Sequence, residues 1–275
     1  MKLTAADASD LAAILRGAAQ REILPHFRRL TADAVRAKTG PLDLVTDADE
    51  SAERYLTEEL ARRFPRALII GEESAAADPS WSERLNAAEL AVVVDPIDGT
   101  FNFAHGVPLF GVMAAVLSRG EVALSAIHDP MGDDTALALR GEGAWLEDAG
   151  GARTTLHVAN AAEPKAMSGI ASWQFLPEPL KSRMLARLPR IAATWSYRCA
   201  AHEYRLAASG GCHFLLYHRL LPWDHAPGWL LHREAGGYAA HFNGAAYLPR
   251  QITGGLLCTP DRASWDALHQ TLLGD

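Results

Sequence analysis

Apolar side chains near the amino terminus recur at the spacing of an amphipathic helix. The positions that share one face are Leu11, Ile14, Leu15 and Ala18. Residues three and four apart lie on the same side of a helix, so this face can pack on a core. The pattern continues loosely to Leu24, and Pro25 is expected to end or bend the helix because it has no N–H to donate. We therefore predict that the chain opens with a long helix.

A second helix is predicted directly after the short segment 42–46. Its apolar face is formed by Ala52, Tyr55, Leu56 and Leu60. Asp49 and Glu50 stand in the expected first turn, where acidic side chains are stabilised by the positive end of the helix dipole. Pro65 lies just past the last apolar position and marks the end.

Short apolar runs rich in β-branched residues predict buried strands in the first half of the chain. The runs cover residues 67–70, 90–94, 109–117 and 121–127. The last two flank Ser118-Arg119-Gly120, which favours a hairpin turn. The first two runs stop at acidic residues, so acids are expected to gather where strands end.

Glycines concentrate between Gly141 and Gly151, and we place a boundary there between two subdomains, residues 1–150 and 151–275. The second half alternates again. Strands are predicted at 168–172 and 213–217, and helices at 180–188, 202–209 and 224–235. The last helix is expected to begin at Asp224, to tolerate Pro227 in its first turn, and to end at Gly236-Gly237.

Composition excludes several classes of protein. A chain of 275 residues with 49% hydrophobic and 21% charged residues is globular rather than disordered or fibrous. The net charge of -7 argues against bulk nucleic acid or an anionic membrane as a partner. Three cysteines without CxxC spacing favour a reducing compartment, and the cytoplasm is the expected location. No targeting segment and no membrane span is expected.

The segment that follows the run 90–94 has the features of a cation site. Asp95 and Asp98 stand three residues apart, so a tight turn could direct both carboxylates at one ion. Gly99 would let a ligand approach the backbone. If a helix begins near Phe101, the N–H groups of Gly99 and Thr100 would form an anion site beside the metal.

An all-oxygen ligand set favours Mg²⁺, with Mn²⁺ as the alternative, over zinc. The histidines between residues 213 and 232 belong to no metal-binding motif and are interpreted as surface or hydrogen-bonded side chains; they are His213, His218, His225 and His232. Each acidic pair also has a simpler interpretation. Asp95 and Asp98 could be a turn or helix cap, and Glu72-Glu73 could be a solvated pair.

Four motifs in one order resemble the inositol monophosphatase family of magnesium-dependent, lithium-sensitive sugar and polyol phosphatases. The motifs are the sequence Asp-Leu-Val-Thr-Asp-Ala-Asp at 43–49, Gly71-Glu72-Glu73-Ser74, Asp95-Pro96-Ile97-Asp98-Gly99-Thr100 with Asn102-Phe103, and Trp223-Asp224 ahead of Glu234-Ala235-Gly236-Gly237. The resemblance implies an α/β (α+β) layered sandwich of the order αβαβα, similar to inositol monophosphatase and fructose bisphosphatase. The site would lie between the two subdomains.

The resemblance also implies a role for each motif residue. Glu72, Asp95 and the carbonyl of Ile97 would hold an activating Mg²⁺, and Asp95, Asp98 and Asp224 a second, with a third, weak Mg²⁺ near Glu72. Asp49 and Thr100 would orient the attacking water, so the catalytic residues would be Asp49, Thr100 and Glu72. Substrate and phosphate would be bound by Asp98, Gly99, Thr100, Glu203 and Asp224. Residues 1–150 would carry most ligands, and residues 151–275 would carry Asp224 and the specificity region.

The chain departs from the family pattern where substrate hydroxyls are bound. Tyr217 stands where members that act on inositol phosphate carry an acid six residues before the Trp of Trp-Asp. Cys199-Ala200-Ala201-His202-Glu203 replaces a run of small residues. His202 and Glu203 could contact substrate or could be the exposed first turn of a helix. Lys38 matches a loop lysine of the family, or is simply solvated.

The expected function is a Mg²⁺-dependent phosphomonoesterase acting on a small polyol, sugar or amino-alcohol phosphate, with a substrate similar to inositol 1-phosphate. Alternatives on the same fold are phosphatases of histidinol phosphate, fructose bisphosphate or adenosine bisphosphate. An alternative of another class is a non-enzymatic regulatory partner, for example of the transcription machinery. We expect a homodimer.

Overall fold

The computed structural model describes residues 3–274. Two strands, β1 (Val35–Gly40) and β2 (Asp43–Thr46), form an antiparallel pair near the amino terminus. The next seven strands are β3 (Leu68–Gly71), β4 (Leu90–Asp98), β5 (Gly111–Ser118), β6 (Glu121–Asp129), β7 (Asp134–Leu139), β8 (Gly143–Glu147) and β9 (Arg153–Thr155). They form one sheet in sequence order, in which β3 and β4 are parallel and every other pair is antiparallel.

A second sheet is built from the later strands, β10 (Ser168–Ala171), β11 (Ala193–Trp195), β12 (Phe214–Tyr217), β13 (Tyr238–His241) and β14 (Leu256–Thr259). Its strand order is β11-β10-β12-β14-β13. β10 pairs in parallel with β11 and β12, whereas β14 is antiparallel to β12 and β13.

The helices are α1 (Ala5–Ala18), α2 (Asp47–Arg63), α3 (Glu72–Ala77), α4 (Trp81–Ala87), α5 (Thr100–Ala104), α6 (Leu180–Arg187), α7 (Ala200–Ala208), α8 (Pro222–Glu234) and α9 (Arg262–Leu272). A π-helical turn at Ala19–Ile23 follows α1. Short 3-10 turns occur at Leu24–His26, Ala32–Ala34, Pro164–Ala166, Trp173–Phe175 and Leu188–Arg190. Within residues 3–274, no helix is both long enough and apolar enough to cross a membrane.

Three apolar cores separate five layers. Leu11 and Leu56 of α1 and α2 pack on one face of the seven-stranded sheet, against residues that include Val92 of β4. The next residue, Val93, faces the opposite way and joins the core of α7 and α8, because successive strand residues point to opposite faces. That core reaches the second sheet, whose outer face is covered by α6 and α9. The predicted order αβαβα is confirmed.

Most predicted elements are confirmed, with boundaries within a few residues. The opening helix continues through its π-helical turn to the 3-10 turn that contains Pro25. β5 and β6 form the predicted hairpin, and Arg119 and Gly120 at its turn have φ values of 51° and 77°. Two positive φ values are typical of the turn that matches the twist of a hairpin.

Two of the boundary differences lie at the candidate site. β4 does not stop at Val94 but continues to Asp98, because Asp95 and Asp98 still pair with β5, with an irregular register between them. α8 begins at Pro222 rather than Asp224, since Pro is well suited to the first helical position. Pro227 therefore lies inside the helix and not in its first turn. The division of the chain at about residue 150 stays a prediction.

Candidate metal centre

Three acidic side chains from separate elements meet at one end of the seven-stranded sheet. Glu72 begins α3 after β3, Asp95 lies in β4, and Asp224 lies in the first turn of α8. One carboxylate oxygen from each lies within 4.8 Å of the other two. β3 and β4 are parallel neighbours, so their carboxyl ends are at the same edge of the sheet, and α8 contributes the third acid. We call these three residues the acidic cluster.

Asp95 is the innermost member of the acidic cluster. Its side chain is buried, and its Oδ1 has no hydrogen-bond partner. Burial and the charges of Glu72, Asp98 and Asp224 raise the pKa of Asp95 well above its ordinary value. A buried carboxylate oxygen without a donor is costly unless a cation compensates it. The residues present therefore fit a hard divalent cation, which prefers oxygen ligands.

Asp98 lines the same cavity beside the acidic cluster. Its Oδ2 accepts a hydrogen bond of 2.6 Å from the backbone N–H of Ala201, at the start of α7. Burial raises the pKa of Asp98 to about 6, although the hydrogen bond from Ala201 acts in the opposite direction. Asp98 therefore connects the acidic cluster to α7.

Asp49 and Thr100 are brought together although 51 residues separate them. Asp49 forms a capping box with Thr46, the residue that caps α2: its Oδ2 accepts from the backbone N–H and hydroxyl of Thr46 at 2.8 and 2.5 Å. Its Oδ1 lies 3.0 Å from the Thr100 hydroxyl, which also lies 2.9 Å from the carbonyl of Ile97. The single hydroxyl hydrogen can serve one of these acceptors at a time. Burial raises the pKa of Asp49 to about 7.

The backbone at Gly99 requires glycine. Its φ is 89°, in the left-handed region, and an added Cβ would lie 3.0 Å from the carbonyl oxygen of Leu109 and 3.2 Å from the Cβ of Cys199. A side chain here would be strained by both the backbone and its neighbours. α5 begins at the next residue, Thr100, as the sequence predicts to within one position.

Lys38 contacts the acidic cluster and is not a solvated lysine. Its Nζ lies 2.8 Å from Glu72 Oε1 and 2.6 Å from Glu73 Oε1, and the side chain is mostly buried. Burial alone would lower the pKa of Lys38, but the charges of Glu72 and Glu73 outweigh it and raise the pKa above its ordinary value. The interpretation of Lys38 as a solvated lysine is therefore wrong, and so is that of Glu72-Glu73 as a solvated pair. Lys38 lies 34 and 35 residues from these two acids in sequence, so no local pattern signals the contact.

Glu203 is buried, so its interpretation as an exposed first-turn residue is wrong. Its Oε1 accepts from the Ser196 hydroxyl at 3.2 Å and the Tyr197 N–H at 2.7 Å, and its Oε2 accepts from the Tyr217 hydroxyl at 2.8 Å. Burial raises the pKa of Glu203 to about 7, although these hydrogen bonds act in the opposite direction. The ring Nε2 of His202, by contrast, lies 3.1 Å from the carbonyl of Phe110.

Two connected cavities adjoin the acidic cluster. The small cavity, of about 130 Å³, is lined by the cluster together with Asp98, Gly99 and Thr100. The large cavity, of about 430 Å³, is lined by Glu203, Tyr217 and the exposed apolar side chains of Leu42 and Phe175. Its volume lies within the range of small-molecule sites. The residues that line both cavities are Leu42, Asp43, Asp98, Arg198, Arg219 and Asp224.

Comparison with known proteins decides the family. Residues 7–273, nearly the whole chain, match the pattern that describes the Inositol monophosphatase family. The chain belongs to the inositol monophosphatase family. The family resemblance inferred from the four motifs is thereby confirmed, and the chain is assigned to the phosphoric monoester hydrolases.

Curated relatives of the family cover most of the chain at about 30% identity. A protein of Thermotoga maritima named fructose-1,6-bisphosphatase/inositol-1-monophosphatase is 32% identical over 224 residues, 81% of this chain and 80% of its own length. The inositol-1-monophosphatase of Bacillus subtilis is 30% identical over 74% of each chain. A relative of another name, the Nus factor SuhB of Escherichia coli, is 31% identical over 78% of each chain.

Solved structures of the family share the fold. The IMPase of Thermotoga maritima superimposes with a TM-score of 0.78 at 25% identity, covering 95% of this chain and 94% of that one. The extragenic suppressor protein SuhB of Bartonella henselae also gives a TM-score of 0.78 at 25% identity, covering 95% of this chain and 98% of its own. The layered architecture described above is therefore the architecture of the family.

Proposed function

We propose that the protein is a Mg²⁺-dependent phosphomonoesterase that hydrolyses the phosphate ester of a small polyol, sugar or amino alcohol. The observation that carries this proposal is the acidic cluster with the unpartnered Asp95 Oδ1, in a family of phosphatases. Inositol 1-phosphate is the first substrate to test. Histidinol phosphate, fructose bisphosphate and adenosine bisphosphate are the alternatives.

Glu72, Asp95, Asp98, Asp224 and the carbonyl of Ile97 would hold two or three Mg²⁺, with Mn²⁺ as a substitute. When bound, paired cations supply positive charge that stabilises the attacking and leaving oxygens of an in-line displacement. The carboxylates fix where that charge sits, because the sheet edge and α8 position them before substrate arrives.

Asp49 and Thr100 would orient the attacking water. Asp49 is held by Thr46 at the start of α2, and it accepts the hydroxyl hydrogen of Thr100 at 3.0 Å. A hydroxyl held in this way has its lone pairs directed away from Asp49, so it can accept a hydrogen bond from water. The N–H groups of Gly99 and Thr100 would bind phosphoryl oxygens, where charge accumulates in the transition state.

The test is a screen for release of inorganic phosphate from small phosphate esters, with and without Mg²⁺. We expect turnover that requires Mg²⁺, is inhibited by lithium, and is lost in Asp95→Asn. The thermal midpoint of Asp95→Asn without Mg²⁺ serves as the fold control, and it should not fall, because the substitution removes an unpaired buried charge. Equal turnover by wild type and Asp95→Asn would refute the mechanism.

A regulatory role is the second candidate, favoured by the relatives named Nus factor SuhB. A stoichiometric partner recovered with a protein that lacks phosphatase activity at several millimolar Mg²⁺ would support it. We also propose a homodimer, to be tested by sedimentation. The cytoplasm is the proposed location, because all three cysteines are free and buried.

A further inference from the structure

Glu72 stands between two short elements that give it little support. β3, which precedes it, has four residues and is an edge strand of the seven-stranded sheet, paired with β4. α3, which begins at Glu72, has six residues. Helices of this length are not stable on their own, because the first turn of a helix is unfavourable to form. The position of the Glu72 carboxylate therefore depends on contacts from other parts of the fold.

Glu53 of α2 supplies the contact that α3 lacks. The residue before α3 is Gly71, which has no side chain to cap the helix. Glu53 takes that place from another helix: its Oε2 accepts from the N–H of Glu73 at 2.7 Å, and its Oε1 accepts from the N–H of Ser74 at 2.8 Å. These are the second and third residues of α3, whose N–H groups a capping side chain ordinarily binds. Both oxygens of one carboxylate thus hold the turn that begins with Glu72.

The same carboxylate explains the glycine at position 71. The φ of Gly71 is -103°, which any residue can adopt, so the backbone itself does not require glycine. An added Cβ would lie 2.1 Å from the Cδ of Glu53 and 2.3 Å from its Oε2. The carboxylate is the movable end of a side chain, so it would be displaced from the N–H groups of α3. Glycine is needed here because Glu53 occupies the space.

The Glu53 side chain is buried, with a relative exposure of 6%. A carboxylate taken out of water is costly unless hydrogen bonds or opposite charges compensate it. The compensation that the structure provides is the pair of N–H groups at the start of α3. The burial of Glu53 and the capping of α3 therefore depend on each other.

One helix holds both parts of the candidate site. Asp49 and Glu53 are four residues apart on α2, so they lie on the same side of that helix. Asp49 Oδ1 lies 3.0 Å from the Thr100 hydroxyl, whereas Glu53 binds the turn that carries Glu72. α2 is itself anchored in the core by residues that include Leu56. The separation of Glu72 from the Asp49–Thr100 pair is thereby set by a single rigid element.

From these contacts we propose that Glu53 is a positioning residue, which holds the first turn of α3 so that the Glu72 carboxylate is in place to bind the divalent cation. Glu53 acts through the backbone of α3 and not by contact with the cation or the substrate. Replacing a side chain that orients a metal ligand weakens metal binding by about 10- to 100-fold. The inference rests on the proposed function, because it requires a cation at the acidic cluster.

The experiment measures the Kd for Mg²⁺ by titration calorimetry on metal-free protein, without substrate. In Glu53→Gln, the amide oxygen can accept from the two N–H groups only in part, because the amide nitrogen is a donor. We expect the Kd for Mg²⁺ to rise about tenfold. The Mg²⁺ concentration that gives half-maximal phosphate release should rise with it, whereas KM for the ester at saturating Mg²⁺ should not change.

Two further variants separate position from charge. Glu58→Gln removes the same charge from an exposed position of α2 and should leave the Kd for Mg²⁺ unchanged. Gly71→Ala keeps the charge of Glu53, but its Cβ would push the carboxylate away from the N–H groups. It should therefore raise the Kd about as much as Glu53→Gln does. The thermal midpoint without Mg²⁺ shows whether each variant is folded.

A double variant keeps the test decisive if Gly71→Ala alone does not fold. Glu53→Ala leaves room for the Cβ at position 71, so adding Gly71→Ala to Glu53→Ala should change neither the thermal midpoint nor the Kd for Mg²⁺. Residues in direct contact are expected to be non-additive in this way. An equal loss of stability from Gly71→Ala with and without Glu53 would show that the carboxylate is not what excludes the Cβ.

Two other results would overturn the inference. An unchanged Kd for Mg²⁺ in folded Glu53→Gln would leave Glu53 with a structural role alone. A raised Kd in Glu53→Gln but not in folded Gly71→Ala would assign the effect to charge and not to position. If wild type binds Mg²⁺ but releases phosphate from no ester, the proposed function fails separately, and the comparison of Kd values still decides the role of Glu53.

Discussion

Replacing Glu203 with Gln should stabilise the fold at alkaline pH and not at acidic pH. The Glu203 carboxyl is buried, and its pKa is raised from 4.5 to about 7. An acid whose pKa is raised by folding destabilises the folded state at every pH at which the carboxyl is charged in the unfolded chain. The cost is absent below pH 4.5, grows as the pH rises toward 7, and is constant above that.

The magnitude follows from the difference in pKa. At about 1.36 kcal/mol for each pKa unit, the shift from 4.5 to about 7 corresponds to about 3 kcal/mol. Part of this cost is already present at pH 5, so between pH 5 and pH 8 the stability of Glu203→Gln relative to wild type should rise by about 2.5 kcal/mol, or roughly 5 °C or more in the thermal midpoint. Gln retains an acceptor for Ser196 and Tyr197, so the packing is preserved.

The assay is thermal and urea unfolding of metal-free protein at several pH values, followed by circular dichroism. Glu142→Gln, at an exposed position, is the matched control and should show no such trend. If Glu203→Gln were less stable than wild type by the same amount at pH 5 and pH 8, the carboxylate would not be a buried charge. The reasoning would then be wrong.

Three further predictions concern the metal centre and its support. Thr100→Val removes the hydroxyl that lies 3.0 Å from Asp49, and kcat should fall about a hundredfold or more with little change in KM; an effect on KM alone would contradict the proposed role. Mg²⁺ at ten times its Kd should raise the stability of wild type by about 1.4 kcal/mol but not that of Asp95→Asn, as measured by thermal unfolding. Gly228→Ala should destabilise the protein by about 1–3 kcal/mol, because its Cβ would lie 2.0 Å from the Tyr204 ring; an unchanged urea midpoint would show that the ring can move.

The sequence predicted the elements well where local signals agree. α2 has an apolar face, acids in its first turn and a proline beyond its end, and each of these acts within a few residues. Acids that follow predicted strands were expected to gather at one rim, and the family resemblance grouped Glu72, Asp95 and Asp224 as metal ligands. The roles of the individual residues there stay predictions.

The predictions that were wrong concern contacts between residues far apart in sequence, which no local pattern encodes. Whether β4 stops at Val94 or continues to Asp98 is decided by its pairing with β5, and the irregular register between Asp95 and Asp98 cannot be read from one strand. Glu203 looked like an exposed first-turn acid, because its three donors, residues 196, 197 and 217, lie outside α7. Lys38 lies 34 residues from Glu72 in sequence, and only the fold brings them together.

The position of α8 affects how this helix can separate from the seven-stranded sheet. The helix lies between the two sheets, and its first turn carries Asp224, whereas Glu72 and Asp95 come from the other half of the chain. A cation at the acidic cluster would thus act as a cross-link between segments far apart in sequence. The unfolded chain does not bring these carboxylates together, so the link stabilises the folded state by binding to it alone. Movement of the first turn of α8 away from the seven-stranded sheet would then require release of the cation, which is detectable as Mg²⁺-dependent protection of α8 amides from hydrogen exchange.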